Sequence, residues 1–300
     1  MDDVSSSDMG LLLFETKRTD GTIENASSVI PGAVYSASAG YYRVHTGGVA
    51  AKNLGDTIYF KIYAKQPDGS YVYSDVYGYN AVQYANEIFA NSSNDKMKAL
   101  CVAMLNYGAA AQTYFNYKTD SLMNAGLTAE QKALVQSYSA DIVKDINVDS
   151  TKLGSFAYTQ SGFSGASAAV SFEGAFAINY YVKPNSTPDG KVTLYYWTQD
   201  AYENADELTV DNASGSVNMI KFGSQYTFSY IDIAAKEVNE AVYIAVEYTS
   251  GGTRHCTGVI GYSVGTYCED VVGKTESTQA AIAFAKATAL YGHYAEEYFA

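Results

Sequence analysis

The chain repeats itself, and a repeat constrains the fold more tightly than any local pattern, because each copy must build the same unit from its own segments. Tyr84-Ala-Asn through Asn106-Tyr107-Gly108-Ala-Ala-Ala-Gln-Thr-Tyr114-Phe115 returns as Tyr267-Cys-Glu through Leu290-Tyr291-Gly292-His-Tyr-Ala-Glu-Glu-Tyr298-Phe299, which puts positions 115 and 299 184 apart. Upstream, Gly78-Tyr79 matches Gly261-Tyr262 at a spacing of 183, and Ala51-Lys52 before Ile58 to Ile62 matches Ala235-Lys236 before Val242 to Val246. The slip of one residue is what a hairpin of slightly different length leaves behind.

Each copy reads as strands followed by helices. In the second, Phe172, Phe176, Ile178, Tyr180 and Val182 alternate with Glu173, Ala177, Asn179 and Tyr181, and Val192, Leu194 and Tyr196 alternate with Thr193, Tyr195 and Trp197. A period of two marks half-buried strands. Tyr226, Phe228 and Tyr230 continue it, with turn material at Lys183 to Gly190 and Ser250 to Gly252. A short helix from about Val264 and a long one ending near Phe299 close the copy.

In the first copy the long helix starts after Asn94, an N-cap residue, and sets Met97, Leu100, Cys101, Met104, Leu105, Ala111 and Phe115 mostly on one face. Gly108 and Gly292 interrupt helices at a cost of about 1 kcal/mol each relative to Ala, which predicts close backbone packing at both. Thr128-Ala-Glu-Gln131 is a capping-box pattern opening a helix through about Ser137. The expected class is α+β: two related modules, each an antiparallel β-sandwich-like sheet followed by a short and a long helix. They span residues 1–125 and 151–300, with a helical linker at 126–150. The first module has no counterpart of the Phe172 to Val182 strand, so its sheet is expected to be smaller or to borrow an edge. The second, complete module is the one expected to be stable on its own.

Composition excludes several partners. Nineteen Lys and Arg against 32 Asp and Glu leave a net charge of −13, and the only arginines are Arg18, Arg43 and Arg254. Nucleic acid rewards clustered positive charge, so it is no partner here. No apolar run approaches the roughly 20 residues of a membrane span. The opening Met-Asp-Asp-Val-Ser-Ser-Ser-Asp has neither the basic nor the apolar region of a signal peptide. That leaves a cytosolic chain or one whose leader is absent from this sequence, and abundant Tyr, Ser, Asn and Gly with little Arg favour an extracellular one. Cys101 fits a buried small hydrophobe, while Cys256 and Cys268 are the one pair expected to form a disulfide if their Cα atoms come within about 7 Å. No CxxC is present and His45, His255 and His293 are scattered, so no metal site or cofactor is expected.

Three blocks carry a resemblance: Tyr262 to Tyr267 with its variant Tyr79-Asn-Ala-Val-Gln-Tyr84, the run Ala103 to Tyr117, and Phe172-Glu-Gly-Ala-Phe-Ala-Ile-Asn-Tyr-Tyr-Val182. Together they resemble a repeated surface module of cellulosome-type and amylosome-type proteins from anaerobic, polysaccharide-degrading gut bacteria. The resemblance covers most of 34–117 and 155–300 and departs where the first copy lacks its opening strands. It implies a binding or spacing part, with starch-adherence proteins the nearest functional class, and it brings no catalytic residues.

A glycosidase needs two carboxylates about 5 to 9.5 Å apart across a sugar. Asp200, Glu203, Asp206 and Glu207 follow Trp197, but acidic loops are ordinary in so acidic a chain. No G-x-S-x-G elbow, P-loop or dinucleotide fingerprint occurs. Binding has a more specific basis. If Phe176, Ile178, Tyr180, Val192, Leu194 and Tyr196 point inward, then Tyr181, Tyr195 and Trp197 point outward, where flat aromatic faces stack on sugar rings. Asn179, Gln199, Asp200 and Tyr202 would supply polar partners. The competing readings of this face are a core covered by the helices and a contact with another protein. A second tyrosine set, Tyr35, Tyr41, Tyr42, Tyr71, Tyr73 and Tyr77, crowds the first copy; cross-strand ladders of this kind also stabilise sheets without binding anything. The expected function is non-catalytic, extracellular binding of polysaccharide, starch-type α-glucan foremost. The alternative is a structural or protein-binding spacer of a surface assembly, and a glycoside hydrolase comes third.

Overall fold

The computed structural model describes residues 5–37, 40–156 and 162–300. The first copy comprises β1 (Met9–Phe14), β2 (Ser28–Pro31), β3 (Val34–Ser36), β4 (Tyr41–Arg43), β5 (Ile58–Lys65), β6 (Tyr71–Tyr73) and β7 (Tyr77–Tyr79), then helices α1 (Ala81–Asn91) and α2 (Asp95–Tyr114). A single turn, α3 (Ala129–Lys132), stands between the copies. The second copy comprises β8 (Phe163–Ser171), β9 (Phe176–Pro184), β10 (Thr193–Thr198), α4 (Gln199–Asn204), β11 (Gly215–Asn218), β12 (Ile220–Phe222), β13 (Gln225–Ile233), β14 (Val242–Ser250) and β15 (Thr253–Tyr262), then α5 (Val264–Gly273) and α6 (Gln279–Phe299). Among the described residues every strand pair is antiparallel, so the class is α+β, with sheets followed in each copy by a short and a long helix.

Local chemistry sets the helix starts. Asn80, Asn94, Ser263 and Thr278 each accept a hydrogen bond from the backbone N–H three residues on, at 2.9, 3.1, 3.0 and 3.2 Å, relieving the unpaired first-turn donors. The Thr128–Gln131 capping box forms in both directions, at 3.2 and 2.8 Å. Its helix nevertheless stops at Lys132 and does not reach Ser137. Beyond it the chain runs as an irregular strap with single 3-10 turns, and Ile142 and Val143 are buried in the core of the second copy. Tertiary burial of those side chains outweighs a weak local helix preference.

In the second copy, the sheet β11-β10-β14-β15 lies against the sheet β12-β13-β9-β8. Ile178, Tyr180 and Val182 of one meet Leu194, Ile244 and Val246 of the other in one apolar cluster. Tyr196 stacks on Phe228 with ring centroids 6.1 Å apart, and the Tyr180 hydroxyl donates to the Val242 carbonyl at 3.0 Å, which pairs the polar tip of a buried ring. Among the described residues the first copy builds the full counterpart of one of these sheets, β2-β1-β5-β6 with β7 also on β5, and of the other only the two-stranded β3-β4.

The copies meet along their long helices. Tyr107 of α2 stacks on Phe284 and Tyr291 of α6 with centroids 5.6 and 5.1 Å apart, and Ala51, Tyr107 and Ala111 belong to the same cluster as the core of the second copy. Gly108 and Gly292 lie where a helix crosses a neighbouring segment: a Cβ on Gly292 would fall on Val238, and one on Gly108 would fall on the Met123 thioether. All three cysteines are free and buried, so the expected Cys256–Cys268 bridge is absent. Cys256 packs in the cluster around Trp197 and Cys268 in the inter-sheet core under α5, so each is enclosed by different neighbours.

Candidate functional site

The residues expected to share one exposed face do not share it. The alternation along β10 holds, since Leu194 and Tyr196 face the opposing sheet and Tyr195 and Trp197 point the other way. But β9 pairs with β8 and β13, whereas β10 pairs with β11 and β14, so Tyr181 and Trp197 are on opposite outer sides of the sandwich. The Trp197 side is moreover covered. Trp197 is 0% exposed, packed edge-on against Phe156 at 5.3 Å, and its indole N–H donates to the Asn212 side chain at 3.1 Å. Tyr202 is buried, stacked on Tyr243 at 3.6 Å, and accepts the Asp149 N–H. The half-buried Tyr195 donates to Glu247 at 3.0 Å.

The cover comes from the strap between the copies and from the loop carrying α4, not from the long helices: Ile146, Val148, Leu153, Phe156 and Leu208 close over the sheet. The only sequence signal for it was this run of apolar residues in a segment without periodicity. Gln199 donates to Glu203 at 2.7 Å and accepts the Ala241 N–H at 2.9 Å, so it fastens α4 to the start of β14. Asp200 sits at the mouth of a cavity of about 220 Å³ with Glu237 and Glu240. Burial, then the charges of Glu237 and Asp200, push the Glu240 carboxyl above the ordinary carboxylate range. Glu203, Asp206 and Glu207 are exposed.

Two of the expected residues remain at a surface. The outer face of β12-β13-β9-β8 carries Tyr181 and Asn179 among Ser167, Thr227 and Ser229, aligned by the strand registers. Ile220 and Phe222 extend it at the β12 edge and are 72% and 71% exposed. The Ser229 hydroxyl donates to Asn179 Oδ1 at 2.5 Å, which leaves the Asn179 amide nitrogen as the group offered outward. A flat face that mixes rings, hydroxyls and an amide can stack and hydrogen-bond at once.

The first copy presents a different surface, a cavity of about 410 Å³ lined mainly by apolar side chains, among them Leu11, Leu13, Val49, Phe60 and Tyr79. Tyr77 stacks on Phe60 and is exposed, whereas Tyr71 and Tyr73 turn to the other face of the sheet and pack with Leu12, Phe14 and Tyr63. Tyr35 and Tyr42 form a cross-strand pair at 5.1 Å. At the rim, burial alone would raise the Asp56 carboxyl. Hydrogen bonds from Asn53, Lys118 and Tyr117 outweigh it and hold the group below its ordinary range. A depressed folded-state value means stability present above about pH 4 and lost as pH falls through that value. Asp56→Asn should therefore lower the melting temperature at pH 7, and the gap to the parent should narrow as the pH falls below about 4 in thermal melts.

Among the described residues no helix is long and apolar enough to cross a membrane. No family model matches the chain. No curated protein matches its sequence. Among solved structures, the chain is similar to one described as "Crystal structure of Br derivative BhCBM56", at 11% identity and a TM-score of 0.24, over 35% of this chain and 96% of that one. A likeness of that size carries no argument about fold or ligand, which leaves the geometry to carry the functional reading.

Proposed function

We propose that the protein is a non-catalytic, extracellular carbohydrate-binding protein, and that it takes polysaccharide on the outer face of β12-β13-β9-β8. The observation that carries this reading is the open face itself, with Tyr181 and Phe222 as stacking rings and Asn179, Ser167, Thr227 and Ser229 as hydroxyl partners. Sugar rings present apolar C–H faces ringed by hydroxyls, and such a face answers both. The preference for α-glucan rests on the resemblance of the Ala103 to Tyr117 and Phe172 to Val182 blocks to starch-adherence modules. Of the seven residues first expected, Tyr181 and Asn179 stay in the site. Trp197, Tyr195, Tyr202 and Gln199 leave it because burial or hydrogen bonding has already used them, and Asp200 leaves it because it opens onto another cavity.

An affinity-gel panel of soluble starch, xylan and hydroxyethyl cellulose tests the reading. Retardation by starch is expected. Tyr181→Ala should weaken it about 30-fold, the equivalent of roughly 2 kcal/mol for an anchoring ring, while shifting the melting temperature little. Retardation by xylan or cellulose alone would overturn the α-glucan preference. Release of reducing sugar from any of them would overturn the non-catalytic reading. The second reading, a protein-binding part of a surface assembly, is favoured by a separate observation, the uncovered sheet of the first module.

A further inference from the structure

The second copy is a template for the first. β1 corresponds to β10, β2 to β11, β3 to β12, β4 to β13, β5 to β14, β6 and β7 to β15, and α1 and α2 to α5 and α6, in the same order and with the same pairings. Among the strands of the described residues only the hairpin β8–β9 has no counterpart. In the second copy that hairpin does two things. β9 pairs with the edge of β13, with Tyr226 opposite Val182, Phe228 opposite Tyr180 and Tyr230 opposite Ile178. Its inward side chains also cover the sheet beneath.

Both consequences of the missing hairpin are visible in the first copy. β4 pairs with β3 alone, so among the described residues one edge of it carries no strand. Ile62 occupies the position of Val246, since Leu11 faces Ile62 as Leu194 faces Val246. Val246 is 0% exposed and Ile62 is 44% exposed. Val72 and Tyr77 are exposed on the same bare side, and the 410 Å³ cavity opens beside them. An unpaired strand edge next to an apolar face is the geometry of strand addition, in which backbone bonds supply affinity and alternate side chains fill the pockets.

We propose that the first module is a docking site for a β-hairpin of a partner polypeptide, which pairs with β4 and lays alternating apolar side chains over Leu11, Phe60, Ile62 and Tyr77. The second copy specifies the partner's chemistry: an extended strand with the Phe-x-Ile-x-Tyr-x-Val alternation of Phe176, Ile178, Tyr180 and Val182. In the equivalent register Tyr42, Val44 and Thr46 stand opposite its last three apolar residues, as Tyr226, Phe228 and Tyr230 do for β9.

The test adds a fluorescein-labelled synthetic peptide of residues 162–185 to the full chain and follows anisotropy, with hydrogen exchange to locate it. One-to-one binding is expected, with slowed exchange across 41–46, and Ile62→Lys should weaken it at least tenfold without moving the melting temperature. No binding, or binding indifferent to Ile62→Lys, overturns the proposal. Slowed exchange confined to 225–230 overturns it as well, because the peptide would then be replacing β9 in its own module. Concentration-dependent dimerisation abolished by Ile62→Lys would assign the face to a second copy of this chain and overturn it too. Tyr181→Ala should leave peptide binding unchanged, so this proposal and the glycan reading fail separately.

Discussion

Trp197→Ala should lower the stability of the protein by about 3 to 5 kcal/mol, the usual cost of emptying a buried tryptophan site. The side chain is fully enclosed by Phe156, Tyr202, Leu208, Tyr243 and Cys256, contributed by the strap, the α4 loop and two strands. Those segments are too constrained to collapse into the void together. At about 2 to 4 °C per kcal/mol for a unit of this size, the melting temperature should fall by roughly 6 to 20 °C in a calorimetric scan. Asn212 loses the indole donor but keeps the Thr209 N–H at 2.9 Å, so no buried acceptor is orphaned and the loss is one of packing. Glycan binding by the folded fraction should be unchanged. A variant that melts like the parent but no longer binds starch would place the sugar at Trp197 and overturn the assignment to the Tyr181 face.

Gly292→Ala should also destabilise the protein, although alanine is the better helix former by about 1 kcal/mol. The new Cβ would stand 2.7 Å from both Val238 methyl groups and nearer still to the Val238 Cβ. Val238 is β-branched, 1% exposed and locked in the core, so α6 must move away from the turn at Ala235–Glu237. Overpacking of this kind costs about 1 to 3 kcal/mol, more than the gain in propensity across most of that range. The matching site behaves differently. At Gly108 the obstacle is the Met123 thioether, an unbranched and adaptable side chain, so Gly108→Ala should be neutral or slightly stabilising. Denaturant melts of both variants and of Gly292→Ala with Val238→Ala check the mechanism. The double variant should recover part of the loss, and failure to do so would show that Gly292 matters for something other than the approach to Val238.

The long helices, the cap at Asn94, and the alternating strands β9, β10 and β13 were legible because each rests on neighbours within a few residues. The incompleteness of the first copy was legible for the same reason: a repeat can be compared with itself position by position. The strap was not. Ile142, Val143, Ile146, Val148 and Phe156 have no period, and what orders them is a sheet they meet only in the folded chain. That one element decided the fate of Trp197, whose outward parity says nothing about whether water or protein lies beyond it.

The candidate site divides along the same line. By itself the sequence determined that Tyr181, Tyr195 and Trp197 lie on the side of their strands away from the sandwich interior, because alternation is a property of the strand. Only the tertiary structure decided that β9 and β10 belong to different sheets, since strand pairing is a long-range choice made by backbone groups that every residue carries alike. It alone also decided that one outer face is sealed by Phe156 and Leu208 while the other is left open around Tyr181. The repeat told that the first module has no counterpart of the Phe172 to Val182 strand. Where that absence leaves apolar surface bare, at Ile62, Val72 and Tyr77, depends on how the remaining strands pair and what they fail to cover.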